Sequence, residues 1–191
     1  MIQAQLDNNQ YFTGRWASIG TLENSVQVSR LPDVCASELE KTSYHYENGE
    51  WFFDEERYQS LLQKQQAESL QTVKDQMTAQ TKEKLQKFLK EHTITSSCHK
   101  GIEKQYSVTP EKQQYLHSMI ALSQNNPQYQ PSWNAAGEES TYDWTTEELV
   151  QLSMEIEAFV RPLVTQQQAL ETAIQNACTQ EELEKITITY Q

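Results

Sequence analysis

The sequence predicts an α+β protein with a small N-terminal β domain, a long coiled-coil-like central helix and a helix-rich C-terminal α+β domain. Three observations carry that expectation. Residues 54–91 contain no Gly or Pro, so nothing in the segment breaks a helix. Before it, short apolar–polar alternations are separated by Asn, Asp and Gly, the pattern of strands joined by turns. After it, helix-starting motifs precede apolar residues spaced at steps of three and four. The expected divisions are 1–53 for the β domain, 54–91 for the helix and 92–191 for the α+β domain, with its helices at about 110–124 and 146–177.

In the N-terminal part, IQAQL is a first strand, interrupted by Asp7-Asn8-Asn9. Tyr11-Phe12-Thr13 leads to Gly14, a second run from Arg15 to Ile19 stops at Gly20, and Val26-Gln27-Val28 alternates as a strand does. Asn48-Gly49 then lies between two aromatic-rich runs within Ser43–Phe53, the preferred sequence of a two-residue type I′ hairpin. Tyr11, Trp16, Tyr44, Tyr46 and Trp51 could stack on a sugar, but a sheet this small needs its aromatics for core or subunit contact.

Asp54 is the expected N-cap of the long helix, with Glu55 and Glu56 at the positive end of its dipole. Unbroken, such a helix is about 55 Å long. Its apolar residues form one narrow stripe: Tyr58, Leu62, Leu70, Val73, Met77, Leu85 and Phe88, continued through Gln66 and Thr81. That spacing is closer to an eleven-residue repeat than to a strict heptad. A helix this polar gains little by burying itself alone, so the stripe is expected to pair with copies of itself as a dimer or trimer. A solvated spacer or an antiparallel fold-back is the alternative.

In the last part, His92–Thr95 and Gln105–Val108 read as strands, with a turn at Lys100-Gly101. Thr109-Pro110-Glu111 starts a helix expected to bury Tyr115, Leu116, Met119, Ile120 and Leu122. A loop follows, with a strand pair expected around Trp133 and Tyr142. Thr145-Thr-Glu-Glu148 is a capping box for a second helix. Its expected buried row is Leu149, Leu152, Ile156, Phe159, Leu163, Leu170, Ala173 and Ala177, widened by Val160 and Val164. Pro162 predicts a kink near Phe159. Thr179-Gln-Glu-Glu182 caps a short last helix, and Thr187–Tyr190 is expected to close as an edge strand.

The net charge of −12 argues against nucleic acid or an anionic membrane as partner, and no stretch is apolar enough to span a bilayer. The N-terminus lacks the basic start and apolar run of a secretory signal. Cys35, Cys98 and Cys178 are scattered and read as reduced thiols of a chain made in a cytosol. His45, His92, His99 and His117 fall in no metal-binding spacing, and adjacent Cys98 and His99 point apart on a strand. The five glycines do not cluster into a phosphate loop, and no Gly-x-Ser-x-Gly elbow is present. The expectation is a chain that is not an enzyme and takes no cofactor or metal.

The stretch from Cys98 to Tyr190 resembles a family of bacteriophage and prophage tail proteins. The resemblance rests on Lys104–Gln113 (KQYSVTPEKQ), Trp133–Gly137 (WNAAG), Trp144–Leu149 (WTTEEL), Gln168–Ile174 (QALETAI) and Thr179–Leu183 (TQEEL). Tyr11–Gly14, Leu31-Pro32 and Asn48–Trp51 are similar to the small leader domain of such proteins. It implies a structural tail part, associated with the fibre or baseplate, made in the bacterial cytoplasm and residing in the virion tail. Its partners would be itself and other tail proteins. A fibre-assembly chaperone is the alternative. The resemblance carries no catalytic residues.

Overall fold

The computed structural model of the chain describes residues 2–32 and 37–191, so Cys35 lies outside the described residues. The fold is α+β, and the chain separates into two compact units, Met1–Gln71 and Thr72–Gln191. The long helix α2 (Glu55–Glu91) contributes to both, because the division falls inside it.

In the first unit, β1 (Ile2–Leu6) is the middle strand of an antiparallel sheet, between β2 (Phe12–Ala17) and β3 (Ser25–Val28). The expectation of two runs interrupted at Gly14 is corrected, since β2 passes straight through it. Pairing shifts from Ala4 opposite Trp16 to Leu6 opposite Phe12, and Gly14 has φ +81°. Only glycine adopts that angle without strain, so it makes a bulge inside the strand instead of ending it. Ala4, Leu6, Phe12 and Val28 form the core, with Tyr46 and Trp51 packed against it.

The short α1 (Glu38–Lys41) opens on a Ser37/Glu40 capping box that the sequence reading passed over. β4 (Tyr44–Glu47) and β5 (Glu50–Phe53) make the hairpin, with Asn48 at φ +52° and Gly49 at φ +92°, both positive as a type I′ turn requires.

The second unit contains β6 (Thr93–Ser96) paired with β7 (Lys104–Ser107), then α3 (Pro110–Asn125), α4 (Thr146–Asn176) and α5 (Gln180–Glu184). Each of these helices begins on a threonine whose hydroxyl accepts an N–H of the first turn: Thr109, Thr145 and Thr179. The cap Glu148 has a second job. While one of its oxygens accepts from Thr145 N, the other accepts the Lys100 N–H and so ties the β6–β7 loop to the start of α4. Trp133 and Thr141 form the expected bridge in the loop before α4.

Three expectations for this unit are corrected. On α3, Leu116 and Met119 are buried, but Tyr115 and Leu122 are exposed. They lie about 100° and 120° around the helix from Leu116, on the far side of Met119 and off the face that meets the core. On α4, Ile174 is fully buried and Ala173 is exposed, so the buried line beyond Leu163 turns away from the expected row. Residues 187–190 are not a strand. Their carbonyls are met by side chains instead: Lys84 Nζ donates to Ile188 O at 2.9 Å and Gln166 Nε2 to Thr189 O at 2.8 Å. α4 runs on through the exposed Pro162 as one helix.

Candidate partner surface

Asp54 sets the start of α2. Its Oδ1 accepts the Arg57 N–H at 2.9 Å, its other oxygen accepts the Tyr11 hydroxyl, and these two bonds, in that order, hold its carboxyl below the usual carboxylate range. The same bond is the largest influence raising the Tyr11 phenol, ahead of burial. Arg57 lies over the Tyr11 ring at 3.7 Å, pairs with Asp7 at 3.2 Å and donates to Thr42 O at 3.0 Å. This network fixes the first turn of α2 to the N-terminal sheet.

Along α2 the sequence-predicted stripe has three fates. Tyr58 is half-buried against Phe53, ring centroids 5.6 Å apart. Leu62, Leu70, Val73 and Met77 are likewise half-buried, on a helix whose other positions from Gln63 to Ser69 are exposed. Leu85 and Phe88 serve the core of the chain's own second unit: Leu85 is 5 % exposed, and Phe88 packs against that core beside Phe159 and Tyr190.

Within that unit, the last turns of α2 lie antiparallel to α4. Lys74 Nζ donates to Gln175 O at 2.8 Å, Thr81 faces Glu171, and Phe88 reaches Phe159. Tyr190 closes the same seam, its hydroxyl donating to Thr81 O at 2.9 Å. His92 ends the helix, its Nδ1 2.7 Å from Phe88 O and its ring stacked on Phe88. The antiparallel fold-back weighed for this stripe is therefore present from Thr81 onward, with Lys74 reaching α4 from beside the stripe.

Sequence reasoning missed Leu89, which is more deeply buried than Phe88 and stands one i+4 step beyond Leu85. It also missed the outer face of α4, where Val150, exposed Met154 and Ala158 line a groove of about 710 Å³.

The N-terminal aromatics divide as core residues do. Trp51 packs edge-on to Phe12 and donates to Arg30 O at 3.0 Å, Tyr46 lies 4.9 Å from Trp51, and Tyr44 lies 5.0 Å from Phe53. Trp16 is exposed. Among the described residues, no three His, Cys, Asp or Glu side chains are grouped to hold a metal ion. No helix among them is long and apolar enough to cross a membrane. Comparison of the chain with family models, curated proteins and solved structures found no match.

Proposed function

We propose that this chain is a non-enzymatic structural component of a bacteriophage tail, associated with the fibre or baseplate. Copies join as a dimer or trimer through the stripe from Tyr58 to Met77. One observation carries the reading: a 37-residue helix keeps Leu62, Leu70, Val73 and Met77 only half-covered along one side of an otherwise polar surface. An incompletely covered apolar row on a polar helix gains most by meeting a second helix. The resemblance of residues 98–190 to tail proteins supports the setting.

The test is mass spectrometry of purified tail-bearing particles from cells that express the chain. The reading expects the chain in fixed proportion to the other tail proteins, and its absence from the particles refutes a virion role.

One observation favours the assembly-chaperone reading as second. Thr81, Leu85 and Leu89 are buried within a single chain, so much of the apolar side of α2 needs no second copy. In that case the chain is found in the cytoplasm of producing cells, and the yield of folded fibre falls when it is removed.

A further inference from the structure

The outer face of α4 carries an apolar strip that the rest of the second unit leaves open. Met154 is 69 % exposed, Ala158 is exposed and Val150 is half-buried, and all three line the groove of about 710 Å³. At about 100° per residue, Val150 and Ala158 lie within about 40° of Met154 around the helix. The core residues Leu152 and Ile156 lie about 160° from it, so the strip faces away from the interior of its own unit. Methionine is flexible and polarizable, and adapts to an opposing surface.

The residues that end the strip identify what covers it. Glu147 and Arg161, both exposed, stand seven positions before and after Met154 and within about 20° of it around the helix. The row Glu147, Val150, Met154, Ala158, Arg161 therefore runs in steps of three, four, four and three, the same in both directions. A face that reads alike from either end, with opposite charges at its ends, is self-complementary across a two-fold axis. When two copies of α4 lie antiparallel about Met154, Glu147 of each stands level with Arg161 of the other. A parallel pair sets Glu147 beside Glu147 and Arg161 beside Arg161, and like charges oppose it. Arg161 Nε is bonded to Glu157 Oε1 at 2.9 Å, which leaves the terminal NH2 groups of the guanidinium to reach across. Glu155, also on the groove, lies about 100° around the helix from Met154 and outside this seam.

We propose that the outer face of α4 binds the same face of a second copy, antiparallel across a two-fold axis at Met154, with Met154 against Met154 and a Glu147–Arg161 pair at each end. The row spans about 21 Å of helix. Such a contact is smaller than the roughly 1,200 Å² of a stable complex and holds with a dissociation constant of about 0.1–1 mM. It is open in a micromolar solution and closes where copies are already held side by side, at effective concentrations in the millimolar range. The contact rests neither on the α2 stripe nor on the chain being a tail part, and the readings fail separately.

The experiment is sedimentation equilibrium of the full chain carrying Leu62→Gln/Leu70→Gln, which silences the α2 stripe, at concentrations up to about 1 mM. A reversible equilibrium between one chain and two is expected. Met154→Asp, which places a charge at the centre of the contact, is expected to weaken it about tenfold or more. Arg161→Glu, which sets glutamates face to face at both ends, is expected to weaken it about fivefold. Glu147→Arg/Arg161→Glu restores opposite charges and is expected to return the constant to within about twofold of its starting value. Helix content by circular dichroism is expected to be the same in all four proteins. A mass that stays that of one chain up to about 1 mM overturns the proposal, on the scale where so small a contact still forms. So does a dimer that Met154→Asp leaves unchanged, or one that the double charge exchange fails to recover.

Discussion

Replacing Leu85 with Ala tests whether the last turns of α2 are core within one chain or seam between copies. Leu85 is 5 % exposed, in the cluster that also holds Leu89, Leu152 and Ile156. The substitution removes three carbons, worth about 2.4 kcal/mol at ~0.8 kcal/mol for each buried methylene. The incompletely collapsed void brings the total to about 3–4 kcal/mol. With a urea dependence of ~2 kcal/mol per molar, the midpoint should fall by about 1.5–2 M. The assay is indole fluorescence during urea unfolding, with Trp16→Phe and Trp51→Phe in the background so that Trp133 and Trp144 report the second unit. Leu62→Ala, half-exposed in the first unit, should leave that transition unmoved. A loss below about 1 kcal/mol for Leu85→Ala would refute the placement in a packed core. A loss that vanishes when Leu85→Ala is placed in the Leu62→Gln/Leu70→Gln background would refute burial within one chain, because a contact made only between copies costs nothing once they are apart.

Four further outcomes follow from the geometry. Gly14→Ala puts a side chain at φ +81° with its Cβ 3.1 Å from Glu38 Oε2, and should destabilise the first unit by about 1–2 kcal/mol in thermal unfolding. Thr145→Ala removes the α4 cap and should cost the second unit about 1 kcal/mol, with Thr145→Ser close to neutral. Tyr190→Phe loses the bond to Thr81 O and should cost about 1 kcal/mol by urea unfolding. The Asp54 carboxyl has its folded pKa below the unfolded one, so its contribution is present above the unfolded value of about 3.9 and is lost as pH falls through the lower folded value. Melting temperatures of the first unit should therefore drop across that acid window, and Asp54→Asn should flatten the drop.

Much of this fold was legible because its signals are local. Asn48-Gly49 specifies a hairpin through two positive φ angles, and Thr109-Pro110 and the Thr145/Glu148 box specify helix starts through hydrogen bonds that span three residues. The losses came where a distant partner decides. Gly14 reads as punctuation until β1 is seen to pair on both sides of it. Thr187–Tyr190 has strand composition, yet what meets it is the side of α2 with Lys84 and not a sheet edge. The helix rows failed in the same way: Ile174 and Leu89 are chosen over Ala173 and Phe88 by where the opposing helix lies, which no spacing rule encodes. The cavity of about 210 Å³ beside the β6–β7 hairpin was not legible at all, because His99, Tyr106 and Trp144, which line it, are separated by up to 45 positions and no spacing rule brings them together.

The central claim is that the part of α2 from Tyr58 to Met77 joins copies of this chain. Light scattering coupled to size exclusion on the full-length protein tests it most directly, with Leu62→Gln/Leu70→Gln as the comparison. The account predicts a dimer or trimer mass that falls to that of one 22.2 kDa chain in the double variant, with helix content retained. A monomer for the unaltered protein would contradict it and leave the stripe to a different protein.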